Sequence, residues 1–105
     1  MGDVVMLDKP GIPVSLAKLP EHMRDGMRLY LEAGIEPGGF AMGVLTNDFK
    51  AAVGRADSIN SHRLHDWMLW VHNDIPMLSQ GSPEIVSAWM TRQRKKDRWV
   101  FNFTE

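Results

Sequence analysis

Three groups of residues in this 105-residue chain have types and spacings that could do chemistry. His62, His65 and Asp66 fall at i, i+3 and i+4, with His72 one heptad beyond His65. On a helix such residues could share a face and hold a divalent metal. The helical zinc signature, however, needs His at i and i+4 with a glutamate between them, and that is missing. Solvated histidines are the preferred reading, and no metal or other cofactor is expected. Gly38 and Gly39 open a helix, where free backbone N–H groups, with Arg24 and Arg28, could grip a phosphate. Neither the Gly-Lys-Ser/Thr ending of a phosphate loop nor the strand that precedes a dinucleotide fingerprint is present. A sharp helix-to-helix turn explains these glycines better. Arg92, Arg94, Lys95, Lys96 and Arg98, followed by Trp99, Phe101 and Phe103, form a basic cluster with aromatics behind it. Such a cluster can follow a phosphate backbone while rings stack on bases. It can equally mark a helix C-terminus whose aromatic row docks on the core or on a second subunit.

Signals for catalysis are weaker still. The chain has no cysteine, which removes thiolate nucleophiles, disulfides and Cys-ligated zinc. No G-x-S-x-G elbow occurs. Asp48, Asp57 and Asp66 recur every nine residues, but each reads as a helix cap or a surface charge. An enzyme is not expected.

Composition describes an ordinary soluble domain: 44% hydrophobic residues, 24% charged residues and a net charge of −1. A single domain of this length buries roughly two-thirds of its unfolded surface. Charge is uneven: residues 1–91 hold seven Lys/Arg against eleven Asp/Glu, whereas residues 92–105 hold five against two. The acidic body argues against wholesale nucleic-acid binding. The opening MGDVVMLDKPG has only four apolar residues between its acids and is not expected to be a signal peptide. No apolar run approaches the ~20 residues of a membrane span, so a cytoplasmic location is expected.

The elements that would position these groups are mainly helical. Pro20 and Glu21 start a helix whose Met23, Met27, Tyr30 and Leu31 form one apolar stripe, and Gly34 ends it. Gly26, inside that helix, is expected to allow a close contact with a neighbour. Pro37 suits the first turn of a second helix with Phe40, Val44 and Leu45 on its apolar face. Asn47 or Asp48 breaks and recaps the chain, and Phe49, Ala52, Val53 and Ala56 continue a third. The longest helix is expected over 59–73, with Ile59, Leu64, Trp67, Met68, Val71 and Ile75 on one side and Trp67 buried at the centre. Ser82-Pro83-Glu84 starts the last helix, with Ile85, Val86, Trp89 and Met90 as its apolar rows. Val4–Leu7 could be a short strand, Lys9–Pro13 an extended linker, and Trp99–Phe103 a strand with one aromatic face. The expectation is a mainly α fold: a compact bundle of about five helices, with room for a short ribbon of N- and C-terminal segments. It divides into an arm and linker over 1–18, a helical core over 19–91 and a basic, aromatic tail over 92–105.

The runs PEHMRDGMRLYLEAGIEPGGF, VLTNDFKAAVGRAD and GSPEIVSAW, spread from Leu19 to Trp89, resemble a group of small proteins encoded by tailed phages and prophages. The resemblance implies a phage origin and action in the infected cell, and it carries over no catalytic residue. The flanks, 1–18 and 90–105, lie outside it. Two kinds of function follow as expectations. The first is a non-enzymatic protein that binds a host macromolecule, as a defence inhibitor or takeover factor. On that reading Arg92, Arg94, Lys95, Lys96 and Arg98 attract an acidic partner, and Trp99 and Phe101 anchor it. The second is a nucleotide or small-ligand sink using Arg24, Arg28, Gly38 and Gly39. A nucleic-acid accessory role through the tail is a weaker third. The generous apolar supply also leads to the expectation of a homodimer or higher oligomer, with Trp99, Phe101 and Phe103 at its interface and Val4–Leu7 as a pairing strand.

Overall fold

Three helix starts are fixed by side chains that accept from backbone N–H groups: Asp48 from Ala51 at 3.0 Å, Asp57 from Asn60 at 2.7 Å and Ser82 from Ile85 at 3.2 Å. Each meets a donor that the first helical turn leaves without an intrahelical acceptor. The computed structural model describes residues 11–95 and 99–104. In chain order these form strand β1 (Ile12–Ser15), helices α1 (Glu21–Ala33), α2 (Gly39–Leu45), α3 (Phe49–Arg55), α4 (Ser58–Ser61) and α5 (Leu64–Asn73), a 3-10 turn (Met77–Ser79), helix α6 (Pro83–Gln93) and strand β2 (Phe101–Thr104). The fold is mainly α, with a small two-stranded parallel sheet. Among the described residues no helix is long and apolar enough to cross a membrane.

Helix α1 buries Met27, Tyr30 and Leu31 as its stripe requires. It ends at Gly34, whose φ of 69° is the left-handed conformation that spares glycine a Cβ penalty. A Cβ there would also collide with the Met90 carbonyl oxygen of α6. Helix α2 begins at Gly39 with Gly38 as its N-cap, so Pro37 precedes the helix instead of opening it. The turn into α3 takes a single pivot. Asn47 adopts φ 63°, and the N–H groups of Asn47 and Asp48 reach back to the carbonyls of Val44 (3.2 Å) and Gly43 (2.8 Å), closing a Schellman motif. Asp48 then caps α3. Gly43 lets the two helices approach, since a Cβ on it would lie 2.7 Å from the Ala52 nitrogen. Gly26 has the opposite surroundings from those expected: nothing lies within 4 Å of its would-be Cβ, and it faces solvent.

The single helix expected over 59–73 is two helices. Asp57 caps one turn, α4, and the chain bends at His62 and Arg63 before α5 begins. The bend lets Asn60, buried at the end of α4, turn its side-chain oxygen toward the Trp67 indole N–H at 3.0 Å. Helix α5 buries Trp67, Trp70 and Val71, with Leu64 partly buried, while Met68 on α5 and Ile59 on α4 face outward. The expected stripe was therefore rotated. Trp70 N–H donates to the Ser15 carbonyl at 2.8 Å, and Phe40 stands edge-on to Trp67 with centroids 5.2 Å apart. Tyr30 hydroxyl, pushed far above its ordinary pKa by burial, donates to the Ser79 carbonyl at 2.7 Å.

Both flanks of the helical segment enter this same core. Val14, Leu16 and Phe101 are buried in one cluster with the helix side chains. Ile12 and Pro13, expected in an extended linker, belong instead to β1, which pairs in parallel with β2, while Lys9 and Pro10 lie outside the described residues. Ile12 and Leu16 donate to the carbonyls of Val100 and Thr104, so even-numbered residues point their N–H groups at β2. Pro13 falls on the other parity, and its missing N–H costs the ladder nothing. Val4–Leu7 lies outside the described residues. Gln93, fully buried, fastens the closure: its amide N–H donates to the Leu31 carbonyl (2.5 Å) and the Trp99 carbonyl (3.2 Å), and its oxygen accepts from Trp99 N–H (2.8 Å).

Two glycine-to-alanine changes are expected to have opposite signs. Gly43→Ala should destabilise by about 1–3 kcal/mol, because α2 and α3 must move apart. Gly26→Ala should stabilise by roughly 0.5–1 kcal/mol, since it relieves only backbone entropy in an exposed helix position. Trp67→Ala should lose about 3–5 kcal/mol by leaving a large cavity. Urea denaturation of the three variants checks all of these.

Candidate functional site

Helix α3 is seven residues long, bounded by the caps Asp48 and Asp57, and buries only Ala52. That shortness leaves its first residue, Phe49, 76% exposed and Val53 45% exposed. Across from them on α5, Met68 is 49% exposed. These three side chains edge a cleft of about 100 Å³ between α2, α3 and α5, with Val44, Ala52, Leu64 and Trp67 among its lining residues. Asn47 and Asp48, the pivot residues, give it one polar lip. Caps and a Schellman turn therefore set the cleft's shape, and a tryptophan locked by Asn60 forms part of its wall. Burying one bulky aliphatic or aromatic side chain in such a place is worth about 1.5–3 kcal/mol. The arrangement suits anchoring of an apolar group by contact.

A second region is polar. His22 Nε2 and Asp57 Oδ2 lie 2.9 Å apart, joining the start of α1 to the start of α4. His22 also lines an open depression of about 470 Å³ together with Pro20, Glu21, Ile59 and Arg63. Arg63 also pairs with Asp66 (2.5 Å) and donates to the Lys18 carbonyl (2.8 Å), and Lys18 pairs with Asp74 (2.9 Å). These contacts pin the segment before α1 onto α4 and α5. The Asp57 carboxyl is held below the ordinary aspartate range, first by the Asn60 N–H bond and then by His22.

The residues singled out from sequence are dispersed. Arg24 donates to the Leu19 and Ala17 carbonyls at 3.0 and 3.3 Å. Arg28 pairs with Asp25 at 2.9 Å and lies 5.7 Å from the Phe103 ring centroid. Gly38 and Gly39 do open α2, and the arginine lying against Gly39 is Arg55. Arg94 donates to the Gly34 carbonyl at 3.0 Å, and Lys95 is exposed. The Arg92 guanidinium stands 5.9 Å from the Trp89 ring. Trp89 Nε1 and Arg92 Nη1 are buried donors with no hydrogen-bond partner among the described residues. Lys96 and Arg98 lie outside the described residues. Trp99 and Phe101 pack edge-on against Trp89 at 5.0 and 6.0 Å, and Phe101 stacks on Phe103 at 5.5 Å. His62 Nδ1 is 2.6 Å from the Ser58 carbonyl, so that nitrogen carries the proton. Among the described residues no three side chains of metal-ligating type gather.

Sequence reading had put Phe49, Val53 and Met68 on apolar stripes without marking them as a surface. The available signal was helix length, because two caps nine residues apart leave too short a helix to cover all of its apolar face.

The Asp57 cap gives a pH prediction with a definite sign. Its folded-state pKa is depressed, so the stability it supplies is present above the unfolded value near 3.9 and is lost as pH falls through the folded value. Asp57→Asn keeps an N-cap acceptor without the charge. The difference in thermal midpoint between wild type and Asp57→Asn should therefore be flat above about pH 5 and shrink toward pH 3.

Set against protein-family models, curated proteins and solved structures, the chain gives no match.

Proposed function

We propose that this protein is a non-enzymatic binding protein whose working surface is the α2–α3–α5 face. The partner is a protein that offers a bulky apolar side chain to the cleft. In the phage setting that the resemblance implies, the partner is a host protein met in the infected cell. The observation that supports this reading is the grouping of Phe49, Val53 and Met68 around one cleft. Solvent-exposed large apolar side chains are unremarkable singly, but a contiguous group bordering a concavity marks an interaction surface. This surface lies within the segment Leu19–Trp89 and not in the flanks.

The test pairs two sets of variants. Val53→Glu with Met68→Glu puts two charges on positions that are already about half exposed, so the fold should persist by circular dichroism and thermal midpoint. The partner that co-purifies with the wild-type protein from its native host should bind at least 100-fold more weakly, since burying an unpaired charge is costly. Arg92→Gln with Lys95→Glu, shown to be folded by the same two measures, should leave that partner in place. The reverse outcome, with the partner kept by the cleft variant and lost by the Arg92/Lys95 variant, would move the working surface to the C-terminal basic cluster.

A further inference from the structure

We propose that the α2–α3–α5 face is self-complementary, and that a second copy of this chain inserts its Phe49 into the cleft while the first copy returns its own. The inference rests on the reading of this face as a protein-binding surface only, and names what occupies it when no other partner does.

Phe49 is the most exposed aromatic ring among the described residues, and it stands on the rim of the cleft. A projecting ring and a hole on the same face are what a two-fold contact requires, because each copy then gives and receives the same group. A knob and hole on different faces would instead build an open chain of molecules. A closed cavity of roughly 150 Å³ accepts a whole benzene molecule, so a smaller hollow takes such a ring only in part. The cleft of about 100 Å³ is open on one side, so a phenyl ring can enter by its edge.

Charge and area agree with this. Phe49 is flanked in sequence by Asp48 and Lys50, both exposed, one of each sign. Asp48 lines the cleft and Lys50 does not, so pairing of each Asp48 with the other copy's Lys50 would offset the like charges that a two-fold brings together. Among the described residues, the exposed large apolar side chains bordering the cleft are Phe49, Val53 and Met68, short of the roughly 800 Å² per partner buried in a stable interface. The pair should be a reversible dimer, with a dissociation constant on the order of 10–100 µM.

Sedimentation velocity of the whole chain from about 5 to about 500 µM tests the proposal, because a weak dimer must build up with concentration. Wild-type protein should shift from monomer to dimer across that range. Phe49→Ser, which changes an exposed residue, should need at least tenfold more protein to do so. A wild-type chain that stays monomeric at the top of the range overturns the inference, as does a folded Phe49→Ser chain that dimerises like wild type. Wild-type monomer combined with partner loss in Val53→Glu/Met68→Glu removes the self-pairing and leaves the functional reading intact. A Phe49-dependent dimer whose Val53→Glu/Met68→Glu form keeps the host partner supports the self-pairing and removes the functional reading.

Discussion

Trp67 and Trp70 sit one turn apart on α5, both fully buried, and each carries an N–H that must find an acceptor away from water. Leaving such a donor unpaired costs about 1–3 kcal/mol. The chain meets the requirement from two directions. Asn60 reaches Trp67 from the turn just before α5, and the Ser15 carbonyl reaches Trp70 from the N-terminal strand. These two bonds fix where the chain must bend ahead of α5 and where β1 must run. With the indoles placed, Phe40 can stand against Trp67, which brings α2 and the glycine contact between α2 and α3 into register. The cleft borders on Trp67, so its geometry inherits the same constraint.

A second buried polar group completes the enclosure. Gln93 satisfies one helix-end carbonyl of α1 and both backbone groups of Trp99, so a single side chain joins α1, α6 and the approach to β2. This anchoring has a consequence for the aromatic tail. Trp99 and Phe101 spend their surface on Trp89 inside the chain. Exposed large apolar side chains are spread over the described residues, from Leu29 and Ile35 to Met77 and Val100, and those of Phe49, Val53 and Met68 differ in bordering one cleft.

What could be read in advance divides along the range of the interactions. Asp48, Asp57, Ser82 and Gly34 act within four or five residues of themselves, so their roles were legible from order and spacing alone. The burial of Trp67 followed from aromatic mass on a helix. The bend at His62–Arg63 was not legible, because its benefit lies in a side-chain bond between Asn60 and Trp67 that periodicity does not encode. The strand at Ile12–Ser15 was hidden by Pro13, whose harmlessness depends on which parity of N–H faces the partner. The outward positions of Phe49, Val53 and Met68 were missed for a different reason. A stripe tells which residues share a face, and only the assembled fold tells whether anything covers it.

The parallel pairing of β1 with β2 brings together segments from opposite ends of the described chain, Ile12 opposite Phe101 and Ser15 opposite Thr104. Consider a pull applied toward the N-terminus at Ile12 and toward the C-terminus at Thr104. In a parallel pair those two pulls run along the strands in opposite directions, so the ladder is sheared and its bonds share the load. An antiparallel pair held the same way would open one bond at a time. The small sheet, minor as a fraction of the fold, thus acts as a mechanical clasp: a machine threading the chain from either end must break β1 from β2 before it reaches the tryptophan core.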